Sequence, residues 1–147
     1  MDDAERPGIP GSRLACDDLA HQLAIAKDEQ VERLSLTLDV GDREALAAFW
    51  CAVLGYRIEW AVASYTSLVP ADGDGPKLLL QEVPEVKTAK NRLHLDVHFE
   101  DFETQADRMV ELGATRISSC VEAVDDVRWI VMQDPEGNEF CVCSFEC

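Results

Sequence analysis

The chain is poor in basic residues. Thirteen Lys and Arg stand against 29 Asp and Glu, a formal net charge of -16 over 147 residues. A surface of that sign repels phosphate backbones and anionic lipid, which argues against nucleic-acid and membrane partners. No apolar run approaches the ~18 residues that a bilayer-crossing helix needs. The opening MDDAERPGIPGSR lacks the apolar core of an export signal. A cytoplasmic protein is therefore expected. Its six cysteines (Cys16, Cys51, Cys120, Cys141, Cys143, Cys147) include no C-x-x-C pair. No structural zinc knuckle is expected, and thiols in a chain without an export signal should stay reduced. There is also no Gly-rich phosphate loop, no G-x-S-x-G elbow and no H-E-x-x-H, so nucleotide-cradling, serine-hydrolase and zincin chemistry find no motif.

What the chain has instead is a repeat. LSLTLDVGDREALAAFWCAVLGY (34–56) returns as LHLDVHFEDFETQADRMVELGA (93–114), aligning Leu34 with Leu93, Asp42 with Asp101 and Leu54-Gly55 with Leu112-Gly113. A half that cannot bury its apolar face alone is expected to pair with its twin. In each copy strict alternation predicts a half-buried strand. In the first, Leu34, Leu36, Leu38 and Val40 face the core and Ser35, Thr37 and Asp39 face away. In the second, Leu93, Leu95, Val97 and Phe99 face the core and His94, Asp96 and His98 oppose them.

Asp42 is placed to cap a helix over 43–54, with Leu46, Phe49, Trp50 and Val53 at helical spacing, and Gly55 to stop it. Cys51 on that helix reads as a small buried hydrophobe. Strands are expected at 56–61, 65–69 and 77–81. A second helix at 102–112 precedes strands at 115–120, 127–133 and 139–144, the last two joined by the turn Asp134-Pro135-Glu136-Gly137-Asn138. The order βαβββ–βαβββ gives an α+β domain over 33–147, with modules at about 33–82 and 92–144. Residues 1–32 read as an N-terminal extension. Pro7, Gly8, Pro10 and Gly11 break its start, and Leu19, Leu23 and Ala26 mark a weak helical face.

This order, with the DPEGNEF turn at 134–140 and the repeated Leu-Gly helix stops, resembles the vicinal oxygen chelate superfamily. Glyoxalase I, fosfomycin and bleomycin resistance proteins and extradiol dioxygenases belong to it. The resemblance runs from 34 to about 144, and VPEVKTAKNRLHLDV (83–97) is similar to the glyoxalase-like proteins of actinobacteria. It implies a cleft between two paired modules, a homodimer, and His or Glu metal ligands on the first and last strand of each module. Those positions carry over to Ser35, Gln81, His94 and Cys141, and only His94 matches the family's chemistry. None of the four is a carboxylate, which a hard cation wants. No cofactor is therefore expected. The alternative is a divalent metal on His94, Cys141 and Gln81. Cys143 faces the same way as Cys141, but adjacent same-face strand positions stand about 6.6–7 Å apart, which strains a shared ion.

The expected ligand-binding residues are Ser35, Thr37, Gln81, Asp96 and Cys141, with Trp60 and Trp129 as stacking surfaces. His94 is the candidate acid–base group, tunable by Asp96 and Glu139. Trp50 belongs to the helix core stripe. Lys87, Lys90 and Arg92, with Lys77 nearby, form the one basic cluster and could draw an anionic ligand. The expected function is binding of a small organic molecule in the inter-module cleft without the usual metal centre. The alternative is a metal-dependent or His94-dependent lyase or isomerase.

Overall fold

A computed structural model of the chain describes residues 33–118, 122–124 and 127–144. The expected extension at 1–32 and Cys120 lie outside the described residues. Among the described residues no helix is long and apolar enough to cross a membrane.

In the first module, alternation makes strand β1 (Ser35–Val40), with Ser35, Thr37 and Asp39 exposed and Leu36, Leu38 and Val40 turned inward. The Asp42 carboxylate accepts from the Glu44 and Ala45 amides at 3.1 and 3.0 Å and so starts helix α1 (Arg43–Leu54). Gly55, at φ +66°, ends it in the left-handed conformation that glycine adopts without a Cβ penalty. Strands β2 (Tyr56–Val62), β3 (Tyr65–Pro70) and β4 (Lys77–Glu82) follow. The sheet order is β1-β4-β3-β2, with β4 parallel to β1 and the other pairs antiparallel.

The second module repeats this path with β5 (Asp96–His98), α2 (Phe102–Glu111), β6 (Thr115–Arg116), β7 (Glu122–Val124), β8 (Val127–Gln133) and β9 (Glu139–Cys143). Its order is β5-β9-β8-β6, again with first and last strands parallel, and β7 pairs with β8. The sequence repeat is thus a repeat of topology: two βαβββ modules, with β7 added to the second. Strand β5 is shorter than the expected 93–99, because Leu93 is 69% exposed and finds no cover. Its ladder is still prolonged by Cys141 N–H to the Leu95 carbonyl and by Phe99 N–H to the Cys143 carbonyl.

One core serves both modules. Leu46, Phe49, Trp50 and Val53 of α1 share it with Leu68, Leu78 and Leu80, and with Phe102, Met109, Ile130, Met132, Phe140 and Val142. Phe49, Trp50 and Phe140 meet edge-on with ring centroids 5.2–6.0 Å apart, so a ring of β9 packs on a helix of the other module. Burying each such side chain is worth about 1.5–3 kcal/mol.

Two polar ties add direction to this packing. The Trp50 indole N–H donates to the Asp134 carboxylate at 3.2 Å. The Glu136 carboxylate accepts the Gly41 and Asp42 amides at 2.9 and 2.7 Å, just ahead of α1. The β8–β9 turn of the second module therefore grips both the start and the middle of α1.

Candidate functional site

The junction of the modules holds a cavity of about 410 Å³. Leu36 and Leu38 of β1, Leu78 of β4, Leu95 and the Trp50 indole form its apolar wall. Thr37, Asp39, Lys87, Asn91, Arg92, His94 and Glu139 supply its polar groups. A volume in the range of about 300–1,000 Å³ with mixed lining is what small-molecule sites have.

The segment 83–95 makes the outer wall and is stapled in place by Glu139. The Glu139 carboxylate accepts the Asn91 amide at 2.9 Å and pairs with the Lys87 ammonium at 3.0 Å. The Asn91 side chain also donates to Asn138 at 3.2 Å. The Asn91 amide above all, and then Lys87, hold the Glu139 carboxyl down at about 2, against the opposing push of burial. Of the basic cluster, Lys87 is thus engaged with β9. Arg92 lines the cavity with no ion pair among the described residues.

Beside the cavity, on the face of the second sheet turned away from α2, three donor side chains converge. Asp96 stands directly opposite Cys141 in the parallel β5–β9 pair, and His94 precedes Asp96 by two residues on the same face. The His94 Nδ1 and Asp96 Oδ1 lie 2.9 Å apart. One ligand atom each from His94, Asp96 and Cys141 fall within 4.8 Å of one another. The His94 and Asp96 side chains are half-exposed. Cys143 differs from Cys141 in being buried. Burial, and next the charge of Asp96, push its thiol up to about 11.

The matching face of the first sheet is committed to itself. Ser35 stands in register with Lys77. The Lys77 ammonium pairs with Glu59 at 2.6 Å and lies 5.7 Å from the centroid of the Trp60 ring. Ser67 Oγ donates to the same Glu59 carboxylate at 2.9 Å. Gln81 lies opposite Asp39, four residues along the strand from Ser35. At about 3.3 Å per residue that offset is ~13 Å, so Ser35 and Gln81 cannot serve one ion.

The structure therefore distributes the expected residues unevenly. Thr37 and His94 border the cavity. Asp96 and Cys141 join His94 in the triad. Trp60 is 41% exposed on β2 beside Lys77 and is not part of the cavity lining. Trp129 pairs with Cys143 and Glu122 in the second sheet, also away from the cavity. Sequence reasoning missed Asn91, which sits in a segment without periodicity, and gave Trp50 to the helix core stripe, whereas Lys87 and Arg92 of the basic cluster do border the cavity.

A cation centre of the superfamily's cross-module kind finds no fit in Ser35 and Gln81. The donors that do converge are an imidazole, a carboxylate and a thiol, all on the second module.

No curated protein matches the chain. Solved structures show the same fold at low identity. Fosfomycin resistance protein FosX from Listeria monocytogenes is 15% identical, with 80% of this chain and 96% of that one covered at a TM-score of 0.65. FosX from Mesorhizobium loti is 18% identical, covering 80% and 95% at 0.62. A glyoxalase/bleomycin resistance protein/dioxygenase family enzyme from Burkholderia phytofirmans is 18% identical, covering 75% and 95% at 0.63. Residues 35–143 match the family described as the glyoxalase-like domain, and with the paired βαβββ modules now in view the chain belongs to that family.

Proposed function

We propose that the protein binds a small, partly apolar organic molecule in the cavity between β1 and the 83–95 segment, without the superfamily's cross-module metal centre. The observation that carries this reading is the cavity itself. Its about 410 Å³ combine a leucine wall with a few polar groups, Thr37, Asn91, Arg92 and His94, able to orient an oxygen-bearing ligand. Relatives in fold include proteins named for resistance to fosfomycin and bleomycin, which makes such compounds reasonable first probes. A homodimer and a cytoplasmic location belong to the same proposal.

The test is a panel of small oxygenated compounds, fosfomycin and bleomycin among them, screened by thermal shift and by tryptophan fluorescence. Hits are expected to lose binding in Leu36→Trp, which fills the cavity from β1. Failure of every compound at millimolar concentration, or hits indifferent to Leu36→Trp, would overturn the reading.

The 2.9 Å contact of His94 Nδ1 with Asp96 favours a second reading, a lyase or isomerase. Asp96 would fix the imidazole tautomer and leave Nε2 to move a proton on a bound substrate. Turnover abolished by His94→Ala, with ligand affinity retained, would favour it over simple binding.

A further inference from the structure

The convergence of His94, Asp96 and Cys141 has a chemistry that the cavity does not need. These side chains offer imidazole nitrogen, carboxylate oxygen and thiol sulfur within 4.8 Å of one another. Ligand atoms about 2.0–2.3 Å from a tetrahedral zinc stand roughly 3.3–3.8 Å apart. The observed spacing closes onto an ion by side-chain rotations of about 1 Å. Two of the three groups are fixed by the sheet, because Asp96 and Cys141 are register partners across the β5–β9 pair. The half-exposed His94 and Asp96 leave the site open to solvent on one side.

We propose that His94, Asp96 and Cys141 form a site for a borderline-soft divalent cation of the zinc class, built within the second module alone. One coordination position is left to water or another ligand. On binding, the Cys141 thiol gives its proton to solvent. Thiolate and carboxylate then balance the ion's two positive charges, with neutral imidazole as third ligand. The sulfur donor selects against magnesium and manganese, which prefer oxygen. The surrounding charge of -16 raises the local concentration of cations. This site differs from the superfamily's arrangement in using Asp96 and in needing nothing from Ser35 or Gln81.

The experiment titrates cobalt(II), then zinc(II), into the full chain after chelator treatment. One equivalent of cobalt is expected to give tetrahedral visible bands and a near-ultraviolet thiolate-to-cobalt band, both erased by zinc. Cys141→Ser should remove the thiolate band, and Cys141→Ser and Asp96→Asn should each weaken binding by roughly tenfold or more. Ser35→Ala and Gln81→Ala should change neither band nor affinity. The proposal is overturned by absence of the thiolate band, by its survival in Cys141→Ser, or by loss of binding in Ser35→Ala or Gln81→Ala. Should Cys141→Ser fail to fold, alkylation of wild-type Cys141 read by mass spectrometry decides. Protection by one equivalent of zinc supports the site and unchanged labelling overturns it. None of these readouts requires the cavity to hold an organic ligand.

Discussion

The Trp50 indole N–H points at Asp134, a carboxylate 84 residues away and only 2% exposed, and donates to it at 3.2 Å. Asp134 is also the hub of its own turn. It accepts the Glu136 and Asn138 amides and the Asn138 side-chain amide, each at 2.9 Å. A buried carboxylate is tolerable only when its oxygens are satisfied. The DPEGN turn therefore shapes its own loop and, through Trp50, fastens the second module to helix α1 of the first.

Trp50→Phe keeps an aromatic ring against Phe49 and Phe140 but removes the indole donor. Destabilisation of about 1–3 kcal/mol is expected, the cost of leaving one bond to a buried charge unmade. Urea unfolding measures it. Asp134→Ala should cost more, because it strips all four donors at once. Equal losses in the two variants would show that the turn's internal bonds count for little.

That contact also marks how far the sequence could be read. Helix α1 was legible residue for residue, because Asp42 and Gly55 bracket a run with helical apolar spacing. The module topology was legible because the repeat was. Partners of single side chains were not. Helical spacing puts Trp50 in the core, yet nothing in it points to a carboxylate in a distant turn. Leu34 and Leu93 continue the alternating pattern, yet they are 66% and 69% exposed, because they lie beyond the cover that the helices give. The members of the triad were legible, His94 and Cys141 from the family positions and Asp96 from the alternation beside His94. That Asp96 stands opposite Cys141 needed the β5–β9 register, and the exclusion of Gln81 needed the β1–β4 register.

The two-residue connection between β2 and β3 holds Ala63 at φ +50°, the one non-glycine residue with positive φ among those described. A Cβ in that region costs about 1–2 kcal/mol. Glycine removes the strain but adds entropy to the unfolded chain, about 0.4–1 kcal/mol. Ala63→Gly should therefore stabilise by roughly 0.5–1 kcal/mol, seen as a higher urea midpoint with unchanged slope. A destabilised variant would refute the strain argument.

The thiols should differ in reactivity. Burial raises the Cys51 thiol, and burial with the charge of Asp96 raises Cys143 to about 11. Near pH 8 both should hold little of the nucleophilic thiolate. Cys141 lies half-buried on the open face of the second sheet, beside His94. Timed iodoacetamide labelling with peptide mapping should find Cys141 modified well before Cys51 and Cys143. Labelling of Cys143 at a similar rate would mean that β9 opens readily.

Glu139 links acidity to the cavity wall. Its carboxyl titrates at about 2 in the folded chain against an ordinary 4.5. A depressed value means that the native state favours the charged form. Its stabilisation is therefore complete above about 4.5 and is lost as pH falls towards 2. Glu139→Gln keeps an acceptor for Asn91 but removes the charge that Lys87 meets at 3.0 Å. At neutral pH the variant should be less stable by about 1.5–3 kcal/mol, the range for hydrogen bonds to charged groups. The gap between wild type and variant should close across that acid window, which cancels the titration common to both proteins. The same two contacts hold the 83–95 segment over the cavity, so a ligand bound there should be released by wild type over the same pH range. A stability gap independent of pH would assign Glu139 a steric role instead.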